Sequence, residues 1–516
     1  MLRKILQFNF SVLLALSFFS CTKNASDENI IISVPLTVVG QSINDTILPQ
    51  KDASGNAIPL KGTMKSGKRY HIYSDVTINS GDTLYLQPGT SVIVHGDGKS
   101  AVTSPAFYVN GTLVSDGSKE KPNWFTVFES ATTPKSNASY TDDSANDPAF
   151  KGYWGGIQCS PSAKLLILRW THIEYTGGPW GINAPDFGAK AGDPRNAVYM
   201  SSASGAPMAT MIIEDSWFYG STDDCIGKCQ NIYVSIMRNT LTKTGGIGGE
   251  GINLKDGCLG DLAYNFCFGG ATNGLKTSGD IGKPTYVNFY NNTLVNCGFR
   301  QTKATRNGSI NTETNAGGFL YNNIIANCKQ GIRITYGSEK GKPADTLNTS
   351  YNNNLTFIGR GKPMGGGVEQ YMVFIEPLQF TKKQSNDFNG YVNGATLSNG
   401  TNPGSNTAGD SLKYDPLFVN YNLAANSAGL KYRINQIPAG ANFNLQTGSP
   451  AIGAGVYPGG TGKNAMPTKP SAPKLVQYGI PMSNIKKGGI YGANITPPNK
   501  DLGAFPTDKS GNQHTY

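Results

Sequence analysis

The segment YNNTLVNCG at residues 290–298 decides the fold, because variants of it recur along the chain. Each copy is a short apolar stretch with an Asn or Asp at the same point. The six copies are IIEDSWFYG around Asp215, SIMRNTL around Asn239, AYNFCF around Asn265, YNNTLVNCG around Asn292, YNNIIANC around Asn323 and YNNNLTFIG around Asn353. Their spacings of 24, 26, 27, 31 and 30 residues drift, as expected for turns of a three-sided β-coil whose loops vary in length.

Stacked coils bring equivalent side chains to about 4.8 Å from one another, so the recurring Asn residues should form a column along the axis. An Asn amide both donates and accepts hydrogen bonds, and can therefore bond to the Asn of the next coil. A Tyr precedes four of these Asn residues by one or two positions, and we expect Tyr264, Tyr290, Tyr321 and Tyr351 to stack in the same way. We interpret both columns as structural.

A second motif recurs between these copies and predicts a second sheet of short strands. Its members are DDCIGK (223–228), EGINLK (250–255), NGLKT (273–277), NGSINTE (307–313) and QGIRIT (330–335), aligned on Ile226, Ile252, Leu275, Ile310 and Ile332. The aligned apolar residue should point inward and its two neighbours outward, because side chains alternate along a strand. The sequence thus predicts an all-β fold, a single-stranded right-handed parallel β-helix with an irregular C-terminal closing segment.

The composition agrees with strands and tight turns, since the chain holds 64 Gly and only 15% charged residues. The formal net charge of +10 favours acidic partners such as anionic glycans or phospholipid surfaces. A nucleic-acid partner is not expected, because no run of Arg and Lys or recognised binding motif appears and the chain carries an export signal.

The export signal occupies residues 1–21. Arg3 and Lys4 precede an apolar run over residues 5–19, and Ser20-Cys21 follows. This pattern predicts a lipoprotein signal peptide with Cys21 as the lipidated residue, which anchors the protein in the outer membrane or at the cell surface. Ordinary signal cleavage, giving a periplasmic or secreted protein, is the alternative. Residues 22–65 are predicted to form a tether and an N-terminal cap.

The remaining seven cysteines are spread about one per repeat, and we expect them to act as small apolar side chains inside the coil. Zinc is not expected, because the four His residues are isolated from any Cys pair. We predict no metal site. Calcium use is possible, although no calcium-binding motif is present, and the cofactor stays unknown.

Three N-terminal motifs resemble the opening coils of exported bacterial β-helix proteins. They are LQPGT at 86–90, VNGTL at 109–113 and WGGI at 154–157, and the closing motifs are DPLF at 415–418 and DLGAF at 501–505. The chain resembles Bacteroidetes-like lipoproteins of the pectate-lyase-like solenoid superfamily. This resemblance implies a β-helix over residues 66–370 and loop-rich final coils with a closing segment over 371–516. Relatives of this kind include lyases, glycosidases and adhesins, so the resemblance does not specify a reaction.

The outward positions of the second sheet are the predicted site. One residue after each aligned apolar position stand Gly227, Asn253, Lys276, Asn311 and Arg333, and three residues after it stand Cys229, Lys255, Ser278, Glu313 and Thr335. Stacked cations suit an anionic sugar chain lying in a groove, with Asn253, Asn311, Glu313, Arg300 and Trp180 as further glycan-binding residues. In a lyase, Lys255 or Lys276 with a lowered pKa would be the base and Arg333 would neutralise the uronate. A buried position for these cations would argue against an anionic glycan.

A rival set of catalytic residues uses carboxylates. Asp223-Asp224-Cys225-Ile226 resembles the Asp-Asp-Cys-Ile motif of polygalacturonase-type glycosidases, and Glu250 falls on the next coil at nearly the same place. That family's Gly-His-Gly element is absent, and Arg333-Ile334-Thr335 only approximates its Arg-Ile-Lys element. Such Asp residues also occur in turns for structural reasons.

Because every catalytic set is incomplete, we rank the binding of a polysaccharide, with an anionic one favoured, above catalysis. The alternatives are a polysaccharide lyase or glycosidase acting on an acidic glycan, and a non-catalytic adhesin or structural surface protein. Trp180 is predicted to be the most exposed tryptophan because it lies in an insertion, whereas Trp154, Trp170 and Trp217 are assigned to the core or to stacks.

Overall fold

The computed structural model describes residues 41–128, 147–182, 189–246, 248–301, 308–328, 331–335, 343–357, 415–423, 435–466, 478–479 and 492–516. In these segments the chain winds into three long parallel sheets. Each turn adds one strand to each sheet, so beyond the first pair of the eleven-stranded sheet, neighbours within a sheet are three strands apart along the chain. This arrangement confirms the predicted all-β parallel β-helix. Cys21 and the rest of the predicted signal peptide lie outside the described residues.

Strands of three to five residues form the nine-stranded sheet. They are Val76–Ile78, Phe107–Val109, Ile157–Cys159, Val198–Met200, Ile226–Gln230, Ile252–Lys255, Leu275–Ser278, Ile310–Glu313 and Arg333–Thr335. The ten-stranded sheet consists of Gly62–Met64, Thr83–Leu86, Thr112–Asp116, Leu165–Arg169, Ala209–Glu214, Ile232–Met237, Leu259–Ala263, Thr285–Tyr290, Ala316–Tyr321 and Thr349–Asn352.

The eleven-stranded sheet completes the coil. It consists of Ile47–Leu48, Arg69–Ile72, Ser91–Val94, Asn123–Val127, Thr171–Thr176, Trp217–Ser221, Thr240–Thr244, Phe266–Phe268, Thr293–Val295, Ile324–Ala326 and Leu355–Phe357. An antiparallel pair, Phe418–Asn420 with Asn442–Leu445, and three short 3-10 helices, Pro148–Phe150, Thr346–Asn348 and Gly462–Asn464, account for the other described elements. The coils begin before the predicted boundary at residue 66, since two of these strands precede it.

The core fills the inside of the coil with columns of apolar side chains, because alternate residues of each strand point inward. Ile252, Leu275 and Ile310 pair across neighbouring strands and are fully buried. The seven cysteines of the coil are buried and carry free thiols, as predicted. They are Cys159, Cys225, Cys229, Cys258, Cys267, Cys297 and Cys328.

A ladder of Asn side chains runs along the corner between the ten- and eleven-stranded sheets. Its rungs are Asn239, Asn265, Asn292, Asn323 and Asn354, and each Nδ2 except the last donates to the Oδ1 of the next rung at 2.8 to 3.1 Å. The predicted ladder is therefore confirmed, with two corrections. Its last rung is Asn354 and not Asn353, and Asp215 is replaced by Ser216, whose backbone N–H donates to Asn239 Oδ1.

The residue before each rung adopts a left-handed backbone conformation, which turns the chain from one sheet into the next. Asn291, Asn322 and Asn353 have φ values of 53°, 60° and 48°. Asn tolerates this region better than most residues. The paired Asn residues of the repeats therefore have separate roles: the first makes the turn and the second joins the ladder. Asp215 makes the turn in its own coil, with φ 52°.

The C-terminal segment packs along the outside of the coil. Tyr264 and Tyr290 donate their hydroxyls to the backbone oxygens of Pro497 and Thr496, and Asn291 donates to Asp501 O. Leu502 and Phe505 are buried in a cluster with apolar residues of the eleven-stranded sheet. The chain thus closes on the corner that carries the ladder.

Candidate functional site

The nine-stranded sheet places four of the predicted site residues in one outward column. Asn253 pairs with Lys276, Lys276 with Asn311, and Asn311 with Arg333. A second column holds Ser278, Glu313 and Thr335 in the predicted register. Their inward neighbours are buried core residues, most of them apolar and two of them Thr277 and Thr312, so the alternation of the sequence sets which face each residue occupies.

A β-bulge breaks the predicted register at one point. The pairing shifts between Ile226 and Cys229, so Cys229 lies beside Leu254 and Gln230 beside Lys255. A bulge inserts one extra residue into a strand and redirects the side chains after it. Lys255 is partly buried, and its strand neighbour is Gln230 and not the predicted Cys229.

Lys276 lies between two carboxylates and not among cations. Its Nζ is 3.5 Å from Glu250 Oε1 and 3.0 Å from Glu313 Oε1, and the residue is only 9% exposed. Burial alone would lower the pKa of Lys276, but the two carboxylates outweigh it and raise this pKa above its ordinary value. A raised pKa favours the protonated form of Lys276, whereas the proposed lyase base needs a lowered one.

The carboxyl groups of Asp224, which is buried, and of Glu250, which is partly buried, are joined by the amide of Asn253. Asn253 Nδ2 donates to Asp224 Oδ2 at 2.8 Å and lies 3.5 Å from Glu250 Oε2. The backbone N–H of Glu250 also donates to Asp224 Oδ1 at 2.7 Å. Burial, followed by the neighbouring Asp224 carboxylate, raises the pKa of Glu250 to about 7. Glu250 therefore holds or releases a proton near neutral pH. Asp223 is also partly buried.

Three amides on successive coils have acceptor oxygens with no hydrogen-bond partner among the described residues. These oxygens are Oδ1 of Asn253, Asn273 and Asn311. The Nδ2 groups are occupied, since that of Asn273 donates to Glu250 and that of Asn311 to Glu313. The sequence reasoning did not select Asn273, although this residue opens the NGLKT motif at 273–277. A buried acceptor without a donor is costly.

Arg333 completes the cluster at the last described coil of this sheet. It is 5% exposed, and a Cβ on Gly308 would lie 3.0 Å from its Cδ and 2.9 Å from Asn273 Oδ1. Glycine at this position therefore allows Arg333 and Asn273 to approach the same point. Burial of Lys276 and Arg333, with two carboxylates beside Lys276, argues against the predicted open cationic groove for an anionic glycan.

Two predicted glycan-binding residues have structural roles instead. Arg300 is 6% exposed, and its guanidinium donates to the backbone oxygens of Thr244, Gly245, Gly246 and Gly269. Trp180 is 3% exposed beneath the Arg195 guanidinium, which lies 5.4 Å from its ring. The expected exposure of Trp180 is wrong, because packing of its insertion against the coil removes the ring from solvent.

The described segments contain no cluster of three or more His, Cys, Asp and Glu side chains suited to a metal ion. Within those same segments, no helix has the length and apolar character needed to cross a membrane.

The stacked parallel sheets define the class of this protein as a parallel β-helix solenoid. No family model, no curated protein and no solved structure matches the chain. Fold alone does not specify a reaction, so the function rests on the side chains of the site.

Proposed function

We propose that this chain is an exported, lipid-anchored β-helix protein that binds polysaccharide along the outer face of its nine-stranded sheet. The proposal keeps the resemblance to Bacteroidetes-like lipoproteins of the pectate-lyase-like superfamily and a location at the outer membrane or cell surface. It rests on one observation: Asn253, Lys276 and Asn311 stand in register on successive strands of this sheet, so amide and charged groups recur from one coil to the next. Sugar hydroxyls both donate and accept hydrogen bonds, so a chain of sugars can pair with such groups on one coil after another.

The charges of this face support a neutral glycan at least as well as an acidic one. Glu313 Oε1 lies 3.0 Å from Lys276 Nζ, so the positive charge of Lys276 is already paired and attracts an added anion only weakly. An acidic glycan remains compatible with the net charge of the whole chain, +10. The test of the proposal therefore needs both kinds of polysaccharide.

Hydrolysis of the bound glycan is the second candidate, and the state of Glu250 favours it. A glycosidase needs one carboxyl group that keeps its proton near neutral pH and a second carboxylate close by. Glu250, with a pKa of about 7, is suited to be the proton donor, and Asp224 and Glu313 are the neighbouring carboxylates. A lyase is less well supported, because Lys276 is held protonated.

The experiment is a panel of pectic, alginate, glycosaminoglycan and neutral plant or bacterial polysaccharides. We expect saturable binding of at least one polymer and no new ultraviolet absorbance from unsaturated ends. New reducing ends with the wild type but not with Glu250→Gln would establish hydrolysis, and Glu120→Gln serves as the control for loss of one carboxylate. Absence of binding to every polymer would leave an adhesin or structural protein as the better explanation.

The lipid anchor gives a separate prediction. Substitution of Cys21 by Ser should move the protein from the membrane fraction to the soluble fraction and abolish incorporation of labelled fatty acid, because the thiol carries the lipid. Cys159→Ser is the matched control, since this cysteine lies in the coil. Membrane association that is unchanged by Cys21→Ser would contradict the anchor without bearing on the site.

A further inference from the structure

We propose a second ligand site, for a neutral saccharide, in a cavity between the eleven-stranded sheet and the C-terminal end of the chain. The cavity measures about 540 Å³, which lies within the range of small-molecule sites. Three neighbouring strands, containing His172, Trp217 and Thr240, form its floor, and residues 436–439 and 515–516 form its rim. Because it lies on a different sheet from Glu250, it does not depend on the proposed function.

The floor of the cavity is built on a continuous stack of aromatic rings. Trp124 and His172 are parallel with centroids 3.6 Å apart, and His172 and Trp217 are parallel at 4.2 Å. His514 covers the other side of Trp217 at 3.7 Å. Since the faces of these rings cover one another, a ligand meets their edges. Ring edges carry positive partial charge, and those of Trp and His carry N–H groups, so they attract oxygen atoms.

The remaining walls supply hydroxyl and amide groups. Tyr219 donates its hydroxyl to Gln436 Oε1 at 3.0 Å, which ties the sheet to the rim. The hydroxyls of Thr240 and Tyr516 lie 2.6 Å apart at the other side. Thr242 adds a further hydroxyl group to the lining. Such a mixture of ring edges and hydroxyls suits a ligand that combines C–H surfaces with many oxygen atoms, as a sugar ring does.

The charges of the lining select an uncharged ligand. Among the described residues around the cavity, Glu174 carries a carboxylate and none is Lys or Arg. A uronate would be repelled by Glu174, and the described lining holds no Lys or Arg to offset that repulsion. Burial lowers the pKa of His514 to about 3, so its ring is neutral at physiological pH. The class of ligand is therefore one or two neutral sugar units.

The test is calorimetric titration of the full chain with maltose, cellobiose and xylobiose, and with digalacturonate as the charged counterpart. Ala439→Trp adds a bulky ring at the exposed rim of the cavity, and Ala53→Trp adds the same ring at an exposed site elsewhere. We expect saturable binding of a neutral disaccharide, weakened by about tenfold or more in Ala439→Trp and unchanged in Ala53→Trp. Digalacturonate should not bind.

If the melting temperatures of both variants equal that of the wild type, both variants retain the fold. The proposal is overturned if no neutral disaccharide binds, or if Ala439→Trp binds as tightly as Ala53→Trp. Glu250→Gln separates this site from the nine-stranded sheet, because it should leave disaccharide binding unchanged. Loss of disaccharide binding in Glu250→Gln with full binding in Ala439→Trp would assign the ligand to the other face and also overturn the proposal.

Discussion

Replacement of Asn265 by Ala is expected to destabilise the coil by about 4 kcal/mol. Asn265 Oδ1 accepts from the backbone and side-chain amides of Asn239, and its Nδ2 donates to Ile236 O and Asn292 Oδ1. All of these groups are buried. The substitution leaves donors and acceptors unsatisfied inside the protein, each of which costs roughly 1 to 3 kcal/mol before local relaxation.

Urea unfolding followed by far-ultraviolet circular dichroism measures this effect. Asn444→Ala is the matched control, because Asn444 is exposed and surface substitutions usually change stability by less than about 0.5 kcal/mol. Since a solenoid can unfold in parts, the midpoint of the transition and its slope should both be compared. Equal midpoints for the two variants would show that the ladder does not hold the coils together.

The free energy of unfolding of the wild type should fall as the pH rises from about 4.5 to about 7, because Glu250 titrates over this range. Its pKa is raised from 4.5 to about 7 in the folded protein. The folded state therefore keeps a proton that the unfolded chain releases over this window, so the folded state is penalised as the pH increases. The shift corresponds to a loss of about 3 kcal/mol that is complete above pH 7.

Glu250→Gln should remove most of this pH dependence, because an amide stays neutral at every pH. Urea unfolding should give the variant a higher free energy of unfolding than the wild type at pH 8. At pH 4.5 the two free energies should be nearly equal. Glu120→Gln, at an exposed position, controls for the loss of one carboxylate. A pH profile of Glu250→Gln that follows the wild type would mean that Glu250 is ionised throughout this range.

Much of the fold could be predicted, because the recurring Asn residues and the alternation of apolar residues are both visible in the sequence. An Asn that recurs once per coil can make hydrogen bonds with its equivalents in the neighbouring coils when the coils stack. The alternation around Ile252 and Leu275 determines which neighbouring residues face outward. The sequence could not identify the last rung of the ladder, because residues 352–354 are all Asn. Any of the three could take the turn or the ladder, and only the backbone conformation assigns Asn354 to the ladder.

The electrostatics of the site were harder to predict than its register. The column of Asn253, Lys276 and Asn311 follows from strand alternation, but the sequence does not show that Glu250 and Glu313 both reach Lys276. Those contacts depend on side-chain conformation across coils. Burial of Trp180 and Arg300 depends in turn on how insertions pack against the coil, and no periodic pattern encodes that packing.

The most direct test of the central claim is the affinity of a bound polysaccharide for wild type, Asn311→Leu and Asn444→Ala. Leu is close to Asn in size but removes the amide of Asn311, including the Nδ2 group that donates to Glu313. The account predicts that Asn311→Leu weakens binding by about tenfold or more while Asn444→Ala binds as the wild type does. Equal affinity for all three proteins, with melting temperatures unchanged, would contradict a glycan site on the nine-stranded sheet.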